Sequence, residues 1–225
     1  STIGTNNKEA SEILKSILKG EGIDLYENCK VEKIRNIDEG KVVITLLENQ
    51  TQLDIECSHL LVCTGRTPNV KGLDLDKAGI FYNEKGIKVN SRLRTSNKRV
   101  YAAGDVIGKN MFTHAASYEA GIVLRNILFK LPVKYKDYVP NIVYSSPEFA
   151  SIGISEEEAY RRYKAINILR WPVSENDRAV TEGLSEGLIK IIVKKNGQIL
   201  GVNILSSDAG DLIVPWILAI KKKIN

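Results

Sequence analysis

No run of about 18 apolar residues occurs in the 225-residue chain, which excludes a transmembrane helix. The start, Ser1-Thr2-Ile3-Gly4, is neither a basic stretch followed by an apolar one nor an Arg-rich amphipathic segment, so no targeting sequence is expected. An initiator methionine is also lacking, and Met111 is the single methionine. Cysteine is scarce: Cys29, Cys57 and Cys63 cannot build a disulfide scaffold and lack metal-ligand spacing. If 57–63 is extended, its six steps of ~3.3 Å hold the end backbones roughly 20 Å apart, beyond the ~6 Å that a disulfide permits. With only His59 and His114 to help, no structural zinc site is expected. Charge of one sign does not accumulate either. The 32 Lys and Arg against 27 Asp and Glu give +5, interleaved along the chain, so no nucleic-acid-binding stripe forms. Lys221-Lys222-Lys223 sits where a helix should end and complements its dipole. No glycine triplet at G-x-G-x-x-G spacing exists. What remains is a reduced, cytoplasmic globular protein of one large domain or two modest ones, with no metal, membrane or nucleic-acid partner.

The apolar residues that are present fall into clear periods. Ala10, Ile13, Leu14, Ile17 and Leu18 line one face of a helix over 9–20, closed by Gly20 and Gly22. Strand-forming runs follow at 23–26, 30–37, 41–47, 51–56 and 59–64, separated by turn clusters at 38–40 and 48–50. Leu60-Leu61-Val62 is apolar at every position, the pattern of a parallel strand buried on both faces. Residues 70–99 are irregular, with strand signals near 87–89 and 93–95. A small-residue strand at 100–103 then leads to a helix over 113–130, with Thr113 as its expected N-cap. A linker between Lys130 and Pro140 precedes an antiparallel pattern. It comprises strands at 142–145, 149–152, 166–171, 187–194 and 198–205, a capping box at Ser155, an Asn196-Gly197 hairpin and a last helix over 208–223.

Two glycines end buried-looking strands, Gly65 after Cys63-Thr64 and Gly104 after Ala102-Ala103, and Asp105 comes next. Ligands of open α/β sheets bind at such strand ends, where glycine admits close backbone approach and a following acid can accept hydrogen bonds from hydroxyls. From spacing alone, two simple turns are equally compatible. The helix start at Met111-Phe112-Thr113-His114 presents amides and a positive dipole end suited to an anion. His114 has no His, Cys or acid spaced to join it as a metal ligand, so its backbone is of more interest than its ring.

These segments resemble the FAD-dependent pyridine nucleotide–disulfide oxidoreductases. The resemblance rests on Leu60-Leu61-Val62-Cys63-Thr64-Gly65-Arg66-Thr67-Pro68-Asn69 and Val100-Tyr101-Ala102-Ala103-Gly104-Asp105. It continues through Pro147-Glu148-Phe149-Ala150-Ser151-Ile152-Gly153, Ile199-Leu200-Gly201 and Ala209-Gly210, in the family's order. Asn176-Asp177-Arg178-Ala179 points to the dihydrolipoamide dehydrogenase and mercuric reductase branch. The resemblance implies an α/β plus α+β fold in three parts: half of a nicotinamide-binding Rossmann-like domain (1–67), a central FAD-associated segment (68–139) and an antiparallel-sheet dimerisation domain (140–225). It implies that Asp105 bonds the ribityl–pyrophosphate part of FAD, with Gly104 letting the chain pass close. The backbone at Met111, Phe112, Thr113 and His114 would lie against the isoalloxazine edge that becomes negative on reduction. Val31 and Gly65 would line the NAD(P) site, Arg66 would lie near the flavin, and residues 140–225 would form a homodimer.

The family's two glycine-rich fingerprints, its Cys-x-x-x-x-Cys pair and its C-terminal His and Glu are not in these residues. The chain is therefore expected to be an internal fragment with no catalytic residue of its own. Its parent would pass electrons between NAD(P)H, FAD and a disulfide or dithiol, or a metal ion in the mercuric branch, while the fragment alone would bind no cofactor and purify colourless. Two other readings stand beside this one: a stand-alone dimerisation or regulatory module, and a flavin NADH oxidase or ferredoxin reductase without a redox disulfide.

Overall fold

The computed structural model describes residues 7–38, 40–48 and 50–225 and divides into two compact units, Ser1–Cys63 with Pro140–Asn225, and Thr64–Val139. In the first unit, helix α1 (Lys8–Gly20) starts at Asn7, whose side chain accepts from the Ala10 amide at 3.3 Å, and buries Ala10 and Leu14. Strands β1 (Lys30–Asp38), β2 (Lys41–Glu48) and β3 (Thr51–Cys57) form an antiparallel meander with β2 central. The turn tips at Glu39 and Asn49 lie outside the described residues, as does the Ser1–Gly4 start.

Two expected strands do not form. Residues 23–26 and 59–64 are irregular, and Leu61 is 85% exposed. Every strand pair among the described residues is antiparallel, so these runs have no parallel neighbour to supply a ladder or cover their faces.

In the second unit, the signals near 87–89 and 93–95 give less strand than expected. A short hairpin pairs β4 (Tyr82–Asn83) with β5 (Gly86–Ile87), and Arg94 makes a single bridge to Tyr101. The run 100–103 is thus pinned by isolated bonds, Ala102 N–H to Leu93 C=O at 3.1 Å among them, rather than lying in a sheet. Leu75, Ile80, Ile87, Leu93, Ala102, Ile107 and Ile122 make the core. Gly108 closes a 3-10 turn at Asp105–Ile107 with φ +66, and a Cβ there would stand 1.8 Å from Lys85 C=O. Helix α2 (Thr113–Ile127) stops short of 130. Its N-cap is Phe112, and Thr113, expected to be the cap, is the first helical residue.

The chain then re-enters the first unit through β6 (Asn141–Val143), a cis Ser146–Pro147 bond and β7 (Glu148–Gly153). Ser155 Oγ accepts the Glu158 amide at 3.2 Å and opens α3 (Glu156–Arg162), as its capping box requires. There follow β8 (Ile166–Pro172), α4 (Asp177–Thr181), β9 (Leu188–Lys194), β10 (Ile199–Ser206), α5 (Ala209–Leu212) and α6 (Val214–Lys222). The single helix expected over 208–223 is broken near Ile213, where Pro215 sits in the first turn of α6 and brings no N–H.

Sheet order is β6-β7-β10-β9-β8, and β10 is covered on both faces. Ile152, Val202 and Ile204 pack with Ala209 and Ile213 on one side. On the other, Phe149 and Leu205 pack with Ala10 and Leu14 of α1. Lys190 of β9, only 5% exposed, pairs with Glu9 of α1 at 3.1 Å and with Glu156 of α3, while Arg170 clasps Glu9 from β8. The Arg170 hydrogen bonds, helped by Lys190 and opposed by partial burial, hold the Glu9 carboxyl below its ordinary range.

The two sides of this network are unequal because Glu9 and Glu156 reach water and Lys190 does not. The double variant Glu9→Gln/Glu156→Gln strands a buried ammonium and should cost about 3 kcal/mol in urea unfolding. Lys190→Met, which removes the buried charge itself, should cost no more than about 1 kcal/mol. The reverse ranking would place the stabilisation elsewhere.

Candidate functional site

Gly104 ends the pinned segment 100–103 at φ 79, ψ −159, a region open in practice to glycine alone. A Cβ at this point would lie 3.3 Å from the Ala116 Cβ of α2, so a side chain would crowd the helix by a few tenths of an ångström. Its N–H donates to Glu119 Oε2 at 2.7 Å. Glu119 is 1% exposed, and its Oε1 is buried without a hydrogen-bond partner. Asp105 opens the 3-10 turn with its carboxylate half-exposed. Arg66 Nη1 donates to Met111 C=O at 2.6 Å and stands 3.5 Å from Asp105 Oδ2. One guanidinium therefore joins the Asp105 turn to the entrance of α2.

That entrance is held from its other side by the segment 130–139. Asn110 Nδ2 donates to Tyr135 Oη and to Asp137 Oδ1, both at 2.9 Å. Burial, with the charges of Asp137 and Glu119 adding and the Asn110 bond opposing, pushes the Tyr135 phenol up to about 12. The first turn of α2 has no side-chain cap, and the Phe112 and His114 rings stack at 5.3 Å. A helix start of this kind keeps its positive dipole end available to an anion. Of the amides expected to face outward at 111–114, that of Phe112 is instead taken by Asn110 C=O at 2.8 Å, because the turn closes on itself.

Gly104, Asp105, Met111 and the start of α2 are thus gathered in the second unit. Gly65 is in that unit too, at φ +127 with open space around it, and Val31 lies half-exposed on β1 of the first unit. Among the described residues no cluster of His, Cys, Asp and Glu could hold a metal ion, and no helix is long and apolar enough to cross a membrane.

The family model described as pyridine nucleotide-disulphide oxidoreductase matches residues 3–120, and that of the same family's dimerisation domain matches residues 139–225. The chain belongs to the pyridine nucleotide-disulphide oxidoreductase family. It is 33% identical over 218 residues to dihydrolipoyl dehydrogenase of Thermus scotoductus, covering 96% of this chain and 47% of that protein. It is 32% identical over 220 residues to mercuric reductase of Staphylococcus aureus, covering 96% and 40%. Among solved structures, the Cu(II) complex of the HOCl-induced flavoprotein disulfide reductase RclA from Escherichia coli superposes with a TM-score of 0.86 at 27% identity, over 96% of this chain and 49% of that one. The chain spans about half the length of the curated relatives it matches. Full-length members of the oxidoreductase family depend on FAD and NAD(P).

Within this family framework, Glu119 and the Asn110–Tyr135–Asp137 group are site-building residues that the motifs did not bring out. Glu119 left a signal: it falls at i+4 from Ala115 and i−3 from Ile122, an acid in the buried stripe of α2. The long-range pairing of Asn110 with Tyr135 left none.

Burial, the largest influence, lifts the Glu119 carboxyl above its ordinary range; Asp105 and Asp137 add to this, while the Gly104 N–H and Lys109 oppose it. A carboxyl raised on folding is bound more tightly to its proton in the native state. Its contribution is full below the ordinary glutamate range and is lost as pH rises through the native value. Glu119→Gln removes that loss, so its melting temperature should pull ahead of the parent's as pH rises above the ordinary glutamate range. Parallel curves would mean that Glu119 ionises as freely folded as unfolded.

Proposed function

We propose that these residues are the flavin-contacting centre and dimerisation part of an FAD-dependent oxidoreductase that passes electrons between NAD(P)H, FAD and a disulfide or dithiol, in the dihydrolipoamide dehydrogenase or mercuric reductase branch. The observation that carries this reading is the turn at Gly104–Asp105, tied through Arg66 to the backbone of Met111 at the start of α2. The residues fit the group: a glycine-only backbone against α2, an acid facing out of the turn, and a buried carboxylate oxygen left over beneath it. FAD, when bound, supplies the two-electron carrier between nicotinamide and sulfur. Asp105 would accept from its ribityl hydroxyls, and the entrance to α2, at Met111, Phe112, Thr113 and His114, would face the edge that gains negative charge. Val31 and Gly65 would line the nicotinamide site.

In this reading the domains are 1–67, 68–139 and 140–225, and the chain holds no catalytic thiol. Burial, with the charge of Glu48 adding, raises the Cys29 thiol, the opposite of an activated thiolate. The match of 139–225 to a dimerisation domain supports a homodimer, as do Leu169 and Trp171 exposed on the edge strand β8 and Val214 and Leu218 on α6. A cytoplasmic location fits the three free cysteines.

Alone, the 225-residue chain should bind no FAD and leave NADH unoxidised in the presence of a disulfide. The polypeptide encoded by the complete reading frame around it should purify yellow, and Asp105→Ala there should weaken flavin retention at least about tenfold. A flavin-free complete polypeptide would overturn the assignment. Light scattering should give a dimer for the complete polypeptide, and a monomer at all concentrations would exclude the role given to 140–225.

A further inference from the structure

Glu119 is a buried acid that the proposed electron transfer leaves unused. It occupies the stripe of α2 between Ala115 and Ile122, both fully buried, where an apolar side chain would pack without desolvating a carboxyl. Its one bond answers a specific need. Gly104 sits in a conformation that takes its N–H out of any sheet ladder, directly against α2. Among the described residues that N–H meets no backbone acceptor, and Glu119 Oε2 reaches it at 2.7 Å. The next residue is Asp105, so the direction in which Asp105 leaves the turn is set one bond away from Glu119. An apolar residue at 119 would fill the space and leave the part-buried Gly104 donor without its acceptor.

We propose that Glu119 is a positioning residue for the flavin: by accepting the Gly104 N–H, it locks the turn that presents Asp105 to the ribityl–pyrophosphate portion of FAD. This rests on the flavin reading given above. The groups whose charges act on Glu119 are Asp105 and Asp137, which oppose its ionisation, and Lys109, which favours it; Tyr135 stands near enough to feel its charge. Ionised Glu119 adds a buried negative charge near the half-exposed Asp105, so binding of a flavin that carries an anionic diphosphate weakens as pH rises.

The test uses the complete polypeptide labelled with 15N-glycine, as wild type, Glu119→Gln and Glu119→Leu. Flavin dissociation is followed by fluorescence, and the Gly104 amide by hydrogen exchange. Glu119→Gln keeps an acceptor and should hold FAD within about twofold of wild type, with Gly104 protected. Glu119→Leu should hold it about tenfold more weakly, with Gly104 exchanging faster and circular dichroism unchanged. Equal retention by Glu119→Leu overturns the positioning role, as does a Glu119→Gln protein as weak as Glu119→Leu. Should Glu119→Leu fail to fold, the pH profiles decide: wild-type dissociation constants should climb with pH while those of Glu119→Gln stay level, and coincident profiles overturn the role. Wild type with a protected Gly104 amide and no flavin overturns the flavin reading itself, and this role with it.

Discussion

A glycine amide and a buried carboxyl hold the candidate site in its shape. Gly104 holds a backbone conformation open in practice to glycine alone, close against α2, and the helix answers by supplying Glu119 as the acceptor for its N–H. Everything outward of that contact follows from it. Asp105 leaves the turn at a fixed angle, Arg66 spans from its carboxylate to Met111 C=O, and α2 begins where Arg66 has placed its entrance. The cost is a desolvated acid in an otherwise apolar helix stripe. Such costs persist where a site needs one backbone conformation held against its own preference.

The first unit is organised by a different compromise. Its five-stranded sheet is covered on both faces, by α5 and α6 on one and by α1 on the other, so that Lys190 is enclosed when α1 and α3 close over β9. Glu9 and Glu156 meet that buried charge from two helices, and Arg170 steadies Glu9 from the neighbouring strand. Helix α1 belongs to the stretch matched by the oxidoreductase model, whereas the sheet belongs to the dimerisation model. A charge network of this sort joins the two matched stretches within one compact unit.

The antiparallel half of the molecule was nearly all legible in the chain. The Ser155 capping box, the Asn196-Gly197 turn and the alternating runs of β8, β9 and β10 each carry a local signal that tertiary contacts only reinforced. The expected strands that do not form share one cause. Leu60-Leu61-Val62 has the composition of a strand buried on both faces, yet a strand exists only beside a partner, and none lies beside it among the described residues. The last helix misled for a different reason, since its apolar period runs straight through Pro215 while its hydrogen bonds cannot.

Local chemistry alone therefore determined the helices, the hairpins, the glycine-ended segment before Asp105 and the family to which they point, because periods, caps and turns act over a few residues. Which of those residues meet was decided only in three dimensions. That Arg66 bridges Asp105 and Met111, that Asn110 reaches Tyr135, and that Glu119 lies beneath Gly104 all depend on distances between segments 15 to 45 residues apart. No periodicity encodes such distances, since they are set by how the core of the second unit packs.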